Sequence, residues 1–268
     1  MVFYDVEVRE GPAQGLVAEF VHNNPNCCEC TQKPVSWIST SLGCTLCEEC
    51  AGSHRQLGWA VSKLKNIALD EFYEWQMKPL VSSLGNEVSF EQLQSSISPL
   101  INRLKGVIPF TTQVINSIWE ISIPSGWRKP CPSSSMEEKA NFIVGKYRWY
   151  GFVDEYSGKD EELANGIVDA CIAGNLPQVF WWMSHKSDVN SCKAGRHGRC
   201  CLHEAVEKGY VDLVAFLLQN GADIYLKDDR GQTAQDLAEA ICSTASEPTA
   251  SDFRMIISML LSVQRGEY

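Results

Sequence analysis

Six cysteines fall within residues 27–50, and four of them stand as two pairs, Cys27-x2-Cys30 and Cys47-x2-Cys50, with sixteen residues between the pairs. Two residues between cysteines let both sulfurs reach one ion from a tight turn, and the spacer is long enough to leave and return. The spacing therefore predicts a tetrahedral Zn²⁺ site closed by four thiolates. Four thiolates leave no open position for water, so a single structural ion is expected, not a catalytic one. Cys28 adjoins Cys27, and Cys44 forms another x2 pair with Cys47. Only Cys27, Cys30, Cys47 and Cys50 give two separate knuckles, which leaves Cys28 and Cys44 as bystanders. Taken alone, such a site suits a nucleic-acid binder, a ubiquitin-ligase module or a plain structural ribbon.

The segments around the knuckles must hold them. Residues 1–22 carry Gly11, Pro12 and Gly15 without a sustained period and read as a tail, with a short helix near Val17 to Val21. Asp70 reads as the cap of an amphipathic helix running from Phe72 through Trp75, Leu80 and Leu84, ended at Gly85-Asn86 and kinked by Pro79. Residues 89–114, rich in serine and glutamine, read as an insertion or long loop. A short apolar segment, Ile115 to Ile121, follows, and then a turn-rich stretch around Pro124, Gly126, Pro130 and Pro132. Glu137 to Phe152 has helical spacing, and the stretch from Gly151 to Asp160 has linker character.

Beyond it the chain repeats itself. A shift of 35 positions lays Ala170 on Ala205, Gly174 on Gly209, Leu176 on Val211, Val179 on Val214, Met183 on Leu218 and Asp188 on Asp223. A period near 33 is the mark of ankyrin repeats, whose T-P-L-H-x-A box has its counterpart in Cys201-Leu202-His203-Glu204-Ala205-Val206. A third unit opens at Asp229-Arg230-Gly231-Gln232-Thr233-Ala234. Its middle is stretched by a loop from Ser243 to Ser251, and its second helix covers Met255 to Leu261. Each unit buries one face on its neighbour, so about three are needed for a stable stack. Trp181, Trp182 and Phe216 are expected to pack, Cys171, Cys200, Cys201 and Cys242 to be small buried thiols, and His203 to make structural hydrogen bonds.

The bulk numbers exclude several classes. The net charge is −10, with 13 basic against 15 acidic residues in 1–150 and 10 against 18 in 151–268. The C-terminal half should thus repel phosphate backbones and anionic bilayers, and no basic helix or stripe accompanies the knuckles, so no nucleic-acid partner is expected. Asp5, Glu7, Arg9 and Glu10 stand where an export signal needs an apolar run, and no stretch approaches the roughly 18 apolar residues of a membrane span. A cytoplasmic location is expected. In such a chain abundant cysteine signifies metal ligands and buried thiols more than disulfides.

The residues around the knuckles decide among the open readings. Trp37-Ile38-Ser39, Leu42-Gly43 and the run Leu46-Cys47-Glu48-Glu49-Cys50-Ala51-Gly52-Ser53-His54-Arg55-Gln56-Leu57-Gly58 closely resemble the Arf GTPase-activating (ArfGAP) domain family, whose pattern is C-x2-C-x16-C-x2-C-x4-R. Ser62-Lys63, Leu69-Asp70, Leu84-Gly85-Asn86 and Asn116-Ser117-Ile118-Trp119-Glu120 match further landmarks in order, and the resemblance covers about residues 23 to 152. The order of zinc module then ankyrin repeats is most similar to the ACAP (centaurin-beta) branch. Members of that branch carry an upstream coiled-coil BAR domain and a phosphoinositide-binding pleckstrin-homology domain, neither of which fits in the residues before Asn26. Phe72 replaces the more usual tryptophan, and the 89–114 insertion interrupts a join that runs directly in relatives.

The resemblance implies an α+β fold, with a four-cysteine zinc-finger ArfGAP module followed by an all-α ankyrin stack. The divisions are a tail at 1–22, the zinc domain at 23–152, a linker at 153–160 and about three repeats at 161–268. It also implies that Arg55 acts as an arginine finger on an Arf-family small GTPase, and that Trp37, Lys63 and Asp70 lie on the GTPase-facing surface. A guanidinium suits that role because it is planar, permanently charged and presents several donors at once. On this reading the protein is not an enzyme with its own turnover but lends a residue to a partner's active site. The ankyrin surface takes a protein ligand, and membrane contact is indirect, through lipid-anchored Arf at endosomal or plasma membranes. The competing expectation is a catalytically silent zinc and ankyrin adaptor in membrane trafficking, should the insertion block GTPase docking.

Overall fold

Three short strands make a small sheet beside the knuckles: β1 (Trp37–Ser39), β2 (Cys44–Leu46) and β3 (Leu64–Asn66). They pair antiparallel in the order β2-β1-β3, with Trp37 opposite Leu46 on one side and Asn66 on the other. The computed structural model describes residues 10–81, 112–154 and 156–267. The chain divides into two compact units, Met1–Glu155 and Tyr156–Tyr268.

In the first unit, α1 (Gln14–Asn23) buries Val17, Phe20 and Val21, spaced i, i+3, i+4, and packs on α3 (Glu74–Val81). The second half of the expected tail is therefore core, because three apolar side chains on one helical face find a partner helix. Directly after β2, α2 (Glu48–Leu57) begins with Cys47 as its N-cap and stops at Gly58, whose φ of +92° ends the helix. Thr112–Trp119 forms α4, which packs on β2, and Met136–Tyr147 forms α5, which packs on α2. A reciprocal cap starts α5: the Ser135 hydroxyl accepts from the Glu138 amide at 3.2 Å, and the Glu138 carboxylate accepts from the Ser135 amide at 2.8 Å.

Two expectations shift here. The helix anticipated from Phe72 starts instead at Glu74, where the Gln76 side chain accepts from the Tyr73 amide at 3.2 Å, and its described part ends at Val81. Of the expected insertion, 89–111 lies outside the described residues, and 112–114 open α4 in one run with the Asn116 to Trp119 landmark.

The second unit is three helix pairs: α6 (Asp160–Ile172) with α7 (Leu176–Ser184), α8 (Cys201–Glu207) with α9 (Val211–Gln219), and α10 (Ala234–Thr244) with α11 (Thr249–Gln264). First helices pack on first helices, α6 on α8 and α8 on α10, and α9 packs on α11. Gly174 and Gly209, one repeat apart, turn the chain between the helices of their pairs at φ of +67° and +68°, which a side-chain-bearing residue resists. The His203 ring bonds the Gln232 carbonyl at 3.0 Å, tying the middle repeat to the third. The long loop expected from Ser243 to Ser251 is mostly helix. Thr244 still belongs to α10, and α11 already runs at Thr249, so the extra residues lengthen the last pair. Cys171, Cys200 and Cys201 are buried, and Cys242 is partly so.

Candidate functional site: a thiolate cluster and a stacked arginine

Cys27 and Cys30 lie in the turn before β1, Cys47 caps α2, and Cys50 sits in its first turn. Their four Sγ atoms all lie within 4.8 Å of one another and are buried. Zinc–sulfur bonds of about 2.3 Å put tetrahedral sulfurs ~3.8 Å apart. Cys30 and Cys47 are 3.6 Å apart, so the quartet fits one such ion with little movement. The start of α2 also favours thiolate charge on Cys47. Among the described residues no other such group of potential ligands occurs. Cys28 points elsewhere, its thiol donating to Asn116 Oδ1 at 3.1 Å.

The register that sets Trp37 against Leu46 brings the indole to the root of α2. There Arg55, two turns along the helix, lays its guanidinium over the Trp37 ring, with Cζ 4.3 Å from the centroid. The Arg55 side chain remains 49% exposed. Metal ligands and arginine thus share one helix, and the arginine rests on the strand that the same knuckles flank. The sequence reading missed Glu48. Its carboxylate accepts from Trp37 Nε1 at 2.5 Å and stands 3.9 Å from the Arg55 guanidinium. The signal was present, since a residue seven before another on a helix lies on the same face.

The other two expected surface residues are placed differently. Lys63 is only 8% exposed, and burial pulls its ammonium down to about 8. Its position in the sheet corner explains this: its backbone amide donates to Ser41 Oγ at 3.0 Å and its carbonyl accepts from the Thr40 amide at 2.9 Å. Asp70 caps no helix. Its carboxylate accepts from the Asn66 amide at 2.6 Å and closes the turn after β3.

Beneath α2 lies a buried ionic network that no local pattern announces. Glu29, between Cys28 and Cys30, accepts from Lys146 Nζ at 3.1 Å and from Tyr147 Oη at 2.9 Å. His54 Nε2 stands 3.5 Å from the same carboxylate, and His54 Nδ1 meets Ser62 Oγ at 3.0 Å. Lys146 also donates to Asn116 Oδ1 and Glu120 Oε1, each at 2.7 Å, and Lys129 pairs with Glu120. Two carboxylates thus balance two ammoniums. Burial alone would push the Glu29 carboxyl up, but the Lys146 ammonium and then His54 hold it well below the usual range. Burial likewise works to lower Lys146, and Glu29 above all overrides it, raising the ammonium beyond the ordinary lysine value.

Removing one partner strands the other charge without water. Lys146→Met is therefore expected to lose about 3–5 kcal/mol of stability. The Lys146→Met, Glu29→Gln double variant should recover most of that loss, because neither charge is then left buried. Urea unfolding of the metal-loaded protein checks both, and an unchanged midpoint for Lys146→Met would contradict the network's role.

Comparison with known proteins adds the family context. The family model described as "Putative GTPase activating protein for Arf" matches residues 14–107, and the ankyrin repeat model matches residues 197–229. The chain is similar to the Mus musculus protein "Arf-GAP with coiled-coil, ANK repeat and PH domain-containing protein 2", at 33% identity over 79% of this chain and 34% of the relative. It is also similar to the Arabidopsis thaliana "ADP-ribosylation factor GTPase-activating protein AGD4", at 25% identity over 78% of this chain and 31% of the relative. A Saccharomyces cerevisiae "ADP-ribosylation factor GTPase-activating protein effector protein 1" is 28% identical over 62% of this chain and 29% of its own. The chain spans about a third of the length of these relatives. The expectation of a non-enzyme is corrected by these matches. The model matching residues 14–107 and the three relatives are described as Arf-GAP or GTPase-activating, a class counted with hydrolysis-stimulating enzymes.

Proposed function

The chain carries an ArfGap domain with an ankyrin repeat behind it, and from that premise we propose that it stimulates GTP hydrolysis on an Arf-class small GTPase through Arg55. The observation that carries the reading is the half-exposed guanidinium stacked on Trp37, on a helix capped by Cys47 and carrying Cys50 in its first turn. GTP hydrolysis accumulates negative charge around the transferred phosphoryl group, and a positioned guanidinium offsets it with planar, permanently charged donors. Cys27, Cys30, Cys47 and Cys50 would hold one Zn²⁺, which supplies rigidity and no reactive position. Lys139, nearly wholly buried and bonded to Glu49 and to the Pro132 carbonyl at 3.0 Å, adds a positive charge beside thiolates that together outnumber the ion's charge.

The GTPase-facing surface centres on Trp37 and Arg55. Asp70 and Lys63 serve it by shaping the β3 turn and the sheet corner. The ankyrin unit receives a protein ligand. Among the described residues no helix is long and apolar enough to cross a membrane. We place the protein in the cytoplasm, reaching endosomal or plasma membranes through its lipid-anchored GTPase partner. Single-turnover hydrolysis by GTP-loaded Arf, with and without the protein and its Arg55→Ala variant, tests the reading. A rate with the protein no higher than that of Arf alone would leave the adaptor interpretation in its place, and equal stimulation by both proteins would remove Arg55 from the reaction.

A further inference from the structure

The free guanidinium of an arginine finger is a long, many-rotamer side chain, so its working geometry depends on what it leans against. Here it leans on an indole, and the indole is itself held: Trp37 Nε1 donates to Glu48 Oε2, a hydrogen bond to an ionised acceptor. The other carboxylate oxygen of Glu48 is the one that faces the Arg55 guanidinium, at 3.9 Å. Glu48 is the first residue of α2 and is well exposed, so it is not a packing residue whose loss would collapse a core. An exposed ion pair at 3.9 Å contributes little by itself, whereas the indole bond fixes the plane on which Arg55 lies.

From these contacts we infer that Glu48 is a positioning residue for Arg55, acting through the Trp37 indole. The inference rests on the Arg55 reading above. Glu48 touches no reacting atom. It sets the tilt of the ring, and the ring sets the guanidinium.

The test uses the zinc-loaded full chain with GTP-loaded Arf under single-turnover conditions. Glu48→Ala is expected to lower the maximal rate about two- to fivefold, the size of an exposed cation–π contact, with the half-saturating concentration unchanged. Trp37→Phe keeps a ring but lacks the N–H donor and should give a similar loss. The double variant should be no worse than either single one, because both remove the same link. Glu48→Gln, which still offers an acceptor oxygen, should restore most of the rate. In ¹⁵N-labelled protein the Trp37 indole N–H, assigned by its disappearance in Trp37→Phe, should move upfield in Glu48→Ala. Bound zinc should be the same in every variant.

Additive losses in the double variant, or a Glu48→Gln rate as low as that of Glu48→Ala, would overturn the inference. If Arg55→Ala abolishes stimulation while Glu48→Ala leaves both the rate and the indole resonance untouched, the role of Glu48 falls and that of Arg55 stands. If Arg55→Ala retains the wild-type rate, or wild type stimulates nothing, both fall together.

Discussion

Arg55→Ala is expected to lower the stimulated rate of GTP hydrolysis by about 10³- to 10⁵-fold, the contribution measured for arginines supplied to such reactions. That factor corresponds to about 4–7 kcal/mol of transition-state stabilisation. No other contact in the proposed site approaches this size. The stacking of Arg55 on Trp37 is worth about 0.5–1 kcal/mol, so its loss leaves most of the activity, whereas loss of the guanidinium leaves almost none. Arg55→Lys keeps a charge but replaces the planar fork with a strongly hydrated point, and only a small part of the rate should return. Fold should survive both changes, since the side chain is half exposed and its ion pair with Glu48 is long. A Tm shift of more than a few degrees would indicate that Arg55 carries structure instead of chemistry.

Withdrawal of the metal is expected to have the second large effect. Zinc bound by four cysteines contributes on the order of 10 kcal/mol to the folding of small modules. Whole domains are stable by only about 5–15 kcal/mol. A strong chelator, or Cys47→Ser, should therefore unfold the first unit and abolish stimulation together. All four thiols lie in that unit and none in the second, so the ankyrin helices should keep their circular dichroism and their own melting transition. Metal analysis should return one zinc per chain. A first unit that keeps its amide dispersion at zero bound zinc would refute the structural role given to the cluster.

The readable parts of this chain were the local and the periodic ones. Cys27, Cys30, Cys47 and Cys50 show as a pair of short spacings, and the structure gathers their sulfurs. Gly174 and Gly209, or Val179 and Val214, declare themselves by recurring. What stayed hidden depends on contacts across the chain. Lys146 and Glu29 are 117 positions apart, and neither carries a mark that it is buried. Lys63 looks like a surface residue because lysine mostly is one, and only the sheet corner encloses it. Asp70 has the composition of a helix cap, but its carboxylate is taken by the Asn66 amide before any helix begins. Glu48 was legible in part: its phase relative to Arg55 follows from helical geometry, while its bond to Trp37 requires the strand register.

The pairing of Cys28 with Asn116 has a consequence for how the cysteine knuckle and the buried ions are joined. Asn116 is bonded to Cys28 through both its oxygen and its nitrogen, at 3.1 and 3.0 Å, and to Lys146 at 2.7 Å. Cys28 lies between the ligand Cys27 and the buried Glu29, so one side chain on α4 grips both the knuckle backbone and the Lys146 ammonium. A change at either place is therefore felt at the other, and the knuckle and the salt network respond as one mechanical piece.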